Sequence, residues 1–443
     1  MSAPVSSPSP STTTSPWPVL AVAVIGTGVL SGLGGTALSL LLHMIQHLAY
    51  GYGQAGGPHN FLQGVSAAPA WRRVAALCAA GLVAGVGWWA LGRFGQPLIS
   101  IAASVGKTGP GKPMPPLSTL VHVLLQIVTV ALGSPLGREV APRELGAVLA
   151  TGMGRVLRLA ADDRRIIIAC GAGAGLSAVY NVPLGGALFI LEVLLAQVGQ
   201  RAVMCAVGAS AIGAFVPWAV LGNVHQYEIG PMVVTPAVMV WALCAGPVIG
   251  IGAHGVKRLA GVAQNHAARG VGRVGWCLVV FPLMGVLTCF YPQLPGNGRG
   301  PMQLALSAQL GMELAATLLV LKILVIMGAL RAGAAGGLLT PSLTMGALLA
   351  SVLAAGWNLW FPAVDVGTTA LLGGIAFLGT FMAMPLTALA LGIEFTHVGH
   401  DMWVPIFLTS AGALLAFRIC ARVGGPMAAQ SQPHAPGSMS ARS

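Results

Sequence analysis

Apolar positions in this chain come in blocks of about twenty residues, the length that crosses a bilayer as a helix, and not as one stripe per helix or as alternating faces. WPVLAVAVIGTGVLSGLGGTALSLLLHMIQHLAY from Trp17, RRVAALCAAGLVAGVGWWALG from Arg72, VTPAVMVWALCAGPVIGIGAHGV from Val234 and ELAATLLVLKILVIMGAL from Glu313 each predict a membrane helix. A soluble fold would have to bury all of them in one core, which length and composition exclude. Polar punctuation between blocks is sparse and rich in glycine and proline, so many helices are expected to be broken.

The ends read differently. MSAPVSSPSPSTTTSP carries no positive side chain and is Ser/Pro/Thr-rich, which predicts a disordered tail over 1–16 rather than a cleaved signal peptide. The residues from Gly424 onward have the same texture, giving a second tail over 425–443.

Composition agrees: 7% of the 443 residues are charged and 56% are apolar, as in an all-α polytopic membrane protein. A formal charge of +12 raises the question of nucleic acid. Its basic residues sit in pairs at segment ends, however (Arg72/Arg73, Arg155/Arg158, Arg164/Arg165, Lys257/Arg258, Arg418/Arg422), where they set topology and meet anionic lipid. The surplus favours an anionic substrate over a cationic one. Seven cysteines without paired spacing predict neither a disulfide framework nor a zinc site. No cofactor is called for.

Two stretches repeat. NVPLGGALFILE (181–192) and AMPLTALALGIE (383–394) both place Pro-Leu early and a lone glutamate nine residues after the proline. Upstream of each lies a glycine-containing turn with a proline and then Gly-Ala: GREVAPRELGA with Pro142, GGLLTPSLTMGA with Pro341. Four elements in the same order predict a duplicated unit, with halves over 17–222 and 234–424. Duplicated membrane units with Gly/Pro-broken helices point to a transporter with its site at the repeat interface. A helix that starts inside the bilayer exposes unpaired N–H groups and the positive end of its dipole, and so attracts an anion.

LGSPLGREVAPRELGA (132–147) places two Arg-Glu pairs in a chain with almost no charge. Here the sequence resembles the CLC family of chloride channels and halide/proton antiporters. GREVAP (137–142) is similar to that family's Gly-(Lys/Arg)-Glu-Gly-Pro motif and GGLLTP (336–341) to its Gly-x-Phe-x-Pro motif. The likeness extends through 154–193 and 373–396, and so covers about Trp17 to Arg422. It implies an inverted repeat with many partial and tilted helices, a homodimer with one pore per subunit, and a place in the plasma (inner) membrane with both termini cytoplasmic. It also implies that Glu139 is the external gate and proton acceptor, and that the anion is bound by Gly137, Arg138, Glu139, Val140, Ala141, Leu338, Leu339 and Thr340. The residues support this independently, because a carboxylate within the bilayer is costly unless it works or is paired. An ion pair of Glu139 with Arg138 or Arg143 is the structural alternative. Arg143 and Glu144 read as structural, and Glu192 and Glu394 as helix-end hydrogen-bonding groups.

Four departures set the subtype. The family's Gly-Ser-Gly-Ile-Pro is absent; Ser134 precedes GREVAP too closely to replace its serine, and Ser100 or Ser104 match only by a shifted alignment. Leu339 stands for the motif's phenylalanine, with Thr340 adding a hydroxyl. Val193 occupies the position of the antiporters' internal proton glutamate. No tyrosine follows Tyr291, so the family's C-terminal tyrosine ligand is missing. With GRExA in place of GREGP, this pattern is similar to the fluoride/proton antiporter branch, and fluoride/proton exchange is the expectation; chloride transport, coupled or uncoupled, is the alternative.

His43 and His47 lack a third metal ligand and read as helix-end packing or lipid-headgroup residues. HVGHD (397–401) reads as an exposed loop cap, and LPGNGRGPMQL (294–304) as a re-entrant turn or plain loop. An intramembrane enzyme would need HExxH, GxSG or a second catalytic carboxylate near Glu139 in sequence, none of which is found. An assembly factor would not need broken helices in both halves.

Overall fold

The computed structural model describes residues 14–53, 61–106, 111–223 and 225–423. The tail expected over 425–443 and most of that over 1–16 lie outside them. Among the described residues the regular structure is helical. The first half contains α1 (Trp17–Tyr50), α2 (Phe61–Ala67), α3 (Ala70–Phe94), α4 (Ile101–Val105), α5 (Pro116–Ala131), α6 (Val140–Val156), α7 (Ala161–Tyr180), α8 (Pro183–Leu188), which runs on as a π-helical turn over Phe189–Leu195, and α9 (Gln200–Leu221). The second contains α10 (Pro236–Asn265), α11 (Gly270–Phe290), α12 (Arg299–Leu306), α13 (Met312–Arg331), α14 (Leu339–Trp357), α15 (Val366–Met382), α16 (Pro385–Thr396) and α17 (Trp403–Val423).

Apart from α2, the order long, long, short, medium, medium, medium, short, long recurs in both halves. Among the described residues, eight helices are long and apolar enough to cross a membrane; α5, α8 with its π turn, α15 and α16 are apolar but shorter. Predicted starts shift by a few residues. Thr235 caps α10 by accepting the Val238 N–H, so that span begins at Pro236, and α3 begins at Ala70 behind Pro69.

Glycine decides how the inner helices meet. In α7, IIIACGAGAGLSAVY is buried on every side, which no amphipathic pattern announces. A Cβ at Gly171 would lie 2.3 Å from the Gly146 carbonyl oxygen, so α6 and α7 approach at backbone distance only because both residues are glycine. Large apolar side chains on α1, α9, α11 and α17, such as Leu48, Phe215, Val279 and Leu415, stay exposed, as on a surface that faces lipid.

The paired motifs lock the halves together. Glu394 at the end of α16 accepts the Leu184 and Gly185 N–H groups at 2.8 and 2.7 Å, the first turn of α8. Glu192, in the π turn that extends α8, accepts Leu386 N and Thr387 N at 3.0 and 2.7 Å, the first turn of α16, and the Thr387 hydroxyl at 2.6 Å. Each half's glutamate therefore satisfies the other half's orphan amides, the helix-end role expected of both.

Candidate functional site

The site grows from the two Gly-containing turns. After α5 ends, Gly133 turns the chain in a left-handed conformation (φ 108°), which glycine adopts at no steric cost. Gly137 and Gly337 then pair as an antiparallel bridge, N–H to carbonyl at 2.7 Å one way and 2.8 Å the other. The bridge holds the start of α6 beside the start of α14.

Glu139 caps α6 with no exposed surface, and its side chain reaches across the bridge. Oε1 accepts the Leu339 backbone N–H at 2.6 Å, the first residue of α14, and Oε2 accepts the Tyr180 hydroxyl at 3.3 Å. Tyr180 and Thr340 share a hydroxyl contact of 3.0 Å. A negative group thus sits on the positive end of a helix among hydroxyl donors. The space is specific to glycine: a Cβ at Gly137 would come 2.1 Å from Glu139 Oε2, and one at Gly337 would come 1.9 Å from Oε1.

Among the described residues, the close acid–base contacts are His122–Glu144 at 3.7 Å and the Arg201–Asp163 ion pair, so Glu139 is not held by either neighbouring arginine. Arg143 donates through Nε to the Glu139 backbone carbonyl at 2.9 Å and stacks on Phe189, 5.0 Å from its centroid. Arg138 lies over the Tyr180 ring at 5.2 Å. Of the other residues expected around the anion, Val140 and Ala141 form the first turn of α6 and Leu338 is the cap of α14. Ser100 caps α4 by accepting the Ala103 N–H at 3.2 Å, whereas the buried Ser104 and Ser134 hydroxyls have no protein partner.

The other singled-out residues fall as follows. His47 Nδ1 lies 2.9 Å from the Tyr52 carbonyl oxygen. His397 ends α16 and its ring meets His225 at 3.9 Å. No group of three metal-ligating side chains occurs among the described residues.

Two site residues escaped the sequence reading. Tyr180 directly precedes NVPLGGALFILE, far from the C-terminus where the family's tyrosine ligand is expected, and the matching position in the second half is Met382, so the repeat gave it no signal. Lys322, on α13, is fully buried and donates through Nζ to the Leu294 and Gly296 carbonyls at 3.1 and 2.5 Å. Gly296 N–H in turn donates to the Gly133 carbonyl at 3.0 Å, so LPGNG is tied both to α13 and to the turn that leads into the site.

The chain matches the family described as voltage gated chloride channel over residues 75–418, and it belongs to that family. The H(+)/Cl(-) exchange transporter ClcA of Salmonella paratyphi B is 26% identical over 418 residues, covering 90% of this chain and 84% of that protein. ClcA of Cronobacter sakazakii is 28% identical over 302 residues, and this chain spans 64% of its length. Among solved structures, a slow cyanobacterial Cl-/H+ antiporter superposes with a TM-score of 0.79 at 19% identity, covering 93% of this chain and 96% of that one. A CLC-type fluoride/proton antiporter superposes with a TM-score of 0.65 at 18% identity, covering 90% and 96%. The fold is therefore the CLC inverted repeat.

Proposed function

We propose that this protein exchanges halide for protons across the membrane and that Glu139 is its gate. The observation that carries this reading is the Glu139 carboxylate on the Leu339 N–H, in a cradle that Gly137 and Gly337 leave open. A carboxylate there occupies a place that suits any small anion. Protonation removes its charge, weakens its hold on the α14 terminus and lets a halide take the same donors. Each opening therefore consumes a proton, which couples the two flows.

Gly137, Arg138, Val140, Ala141, Leu338, Leu339 and Thr340 form the surroundings of that anion. Arg138 supplies positive field and the two helix starts supply N–H groups. For the halide we favour chloride. The expectation of fluoride leaned on a missing tyrosine hydroxyl, and Tyr180 brings a phenol to the site from another helix; the curated relatives cited above are named as chloride/proton exchangers. Fluoride remains the second reading on one observation: Tyr180, Thr340 and Leu339 N–H form a compact set of strong donors, which a small, tightly hydrated anion requires.

A homodimer in the plasma membrane with cytoplasmic termini completes the proposal. Leu184 on α8 and Leu386 on α16 are more than half exposed side by side with the exchanged caps, as a subunit face would be. Purified protein in liposomes, with halide and proton movement recorded together, tests the reading. Halide efflux driving protons the opposite way is expected; halide efflux without protons sinks the exchange, and fluoride efflux at least about tenfold faster than chloride, roughly 1.4 kcal/mol in barrier, would move the assignment to fluoride.

A further inference from the structure

A second carboxyl lies buried near the gate. Glu144 is five residues beyond Glu139, about 7.5 Å along the helix axis at 1.5 Å per residue. Its side chain is 14% exposed and points to α5 rather than toward the bridge. Oε2 accepts the Gln126 amide at 3.1 Å and stands 3.7 Å from His122 Nε2. His122 Nδ1 meets the Trp88 indole N–H at 2.9 Å.

These contacts fix protonation states. An indole nitrogen only donates, so His122 Nδ1 accepts, and the ring's own proton sits on Nε2 facing Glu144. The imidazole in this arrangement is neutral. Of the helices packed on α6, α5 brings His122 and α7 brings Tyr180 at its far end, while His47 of α1 meets the Tyr52 carbonyl and His43 lines a cavity with Arg138 and Arg299. Arg143 is turned to the Glu139 carbonyl and the Phe189 ring, and Arg273 of α11 donates to the Trp88 carbonyl at 3.0 Å. Glu144 thus faces amide and imidazole N–H groups, and among the described residues no guanidinium lies at ion-pair distance from it.

An independent observation concerns Gln126. It is fully buried, and its amide oxygen has no hydrogen-bond partner in the protein. A buried acceptor without a donor is costly. Beside a carboxyl, the donor that fits is a protonated Glu144 or a water carrying its proton.

If α1 and α3 each cross, as their length and apolarity allow, the chain returns before α5 to the side of α1's first residue; Trp88 near the end of α3 and His122 near the start of α5 then lie between that side and the gate. The position at which the family's antiporters carry an internal proton glutamate is Val193 here. We infer that Glu144 is a second proton carrier of the exchange cycle: it takes a proton from water near His122 and Gln126, and passes it through water to the Glu139 carboxylate, returning to the ionised form. An O–H bond forms at Glu144 and breaks as one forms at Glu139, so no oxidant or other reactant is needed. His122, Gln126 and Trp88 act as positioning residues. This revises the structural role expected of Glu144, and it rests on the proton-coupled reading above.

The test is Glu144→Gln in liposomes, recorded with the wild-type protein. Wild-type exchange with a variant that passes halide but carries protons at least about a hundredfold more slowly is the expected result. Wild-type exchange with an unchanged proton-to-halide ratio in the variant overturns the inference and leaves the exchange reading standing. Wild-type halide flux without protons overturns both. If Glu144→Gln does not fold, Trp88→Phe removes the N–H that fixes the imidazole tautomer. The pH of half-maximal proton flux should then move by about half a unit or more, and an unmoved profile overturns the inference.

Discussion

Tyr180 and Thr340 meet hydroxyl to hydroxyl at 3.0 Å across the boundary between the two halves, and the same phenol reaches the Glu139 carboxylate. In this arrangement the charged acceptor of the phenol is the Glu139 carboxylate itself. Both are therefore free to turn toward an anion when Glu139 leaves. Tyr180→Phe and Thr340→Val should each weaken apparent halide affinity by about 0.5–1.5 kcal/mol, up to roughly tenfold. The double variant should lose less than the sum, because each single change already breaks the shared contact. Concentration dependence of efflux measures all three; strictly additive losses would place the two hydroxyls in separate roles.

Glu139→Gln should abolish proton movement while halide still passes. An amide imitates the neutral carboxylic acid and cannot compete as an anion for the Leu339 N–H. Parallel halide and pH recordings check this, and a variant with normal coupling would remove Glu139 from the gate.

Gly137→Ala and Gly337→Ala address the cradle. Each added methyl occupies the place of a carboxylate oxygen, and neither glycine has the positive φ that would strain alanine. Both variants should fold and yet behave like Glu139→Gln, with the proton-to-halide ratio as the readout. Wild-type coupling in either would show that the carboxylate works from another position.

Glu394→Gln leaves the α8 amides with a weaker acceptor, and Glu192→Gln does the same for α16. Losses of about 1 kcal/mol per cap are expected, visible as a lower Tm in detergent. Halide selectivity should be untouched, since neither carboxylate reaches the site.

Lys322→Met removes the donor to two buried carbonyls and should cost about 1–3 kcal/mol of stability. The loop over 294–298 would loosen with it. Faster proteolysis near Gly296 together with a lowered Tm is the expected outcome.

The sequence made the architecture legible because backbone needs in lipid are severe. Pro142, Pro341, Pro183 and Pro385 could be read as helix starts, and Glu192 and Glu394 as their caps, since a broken helix in hydrocarbon must find acceptors and donors nearby. Glu139 stood out for the same reason. Tyr180 did not, because a tyrosine at the end of an apolar run is common and only contact with Thr340, 160 residues away, gives it meaning. The surroundings of Glu144 were hidden for a related cause: its partners Gln126 and His122 lie on another helix, and nothing in their spacing points to α6. Lys322 went unread because nothing in the sequence links α13 to LPGNGRGPMQL, whose Leu294 and Gly296 carbonyls hold it.

The crossed caps of α8 and α16 also bear on how the protein is made. When the ribosome has delivered Leu184 and Gly185 to the membrane, the carboxylate that will receive their amides is still 209 residues from being synthesised. Until Glu394 arrives, the first half holds an open helix end that only water or translocation machinery can serve. The first half is therefore expected to complete its packing only after the second is made, and a chain stopped before α16 should remain with its insertion machinery instead of leaving as a stable half-transporter.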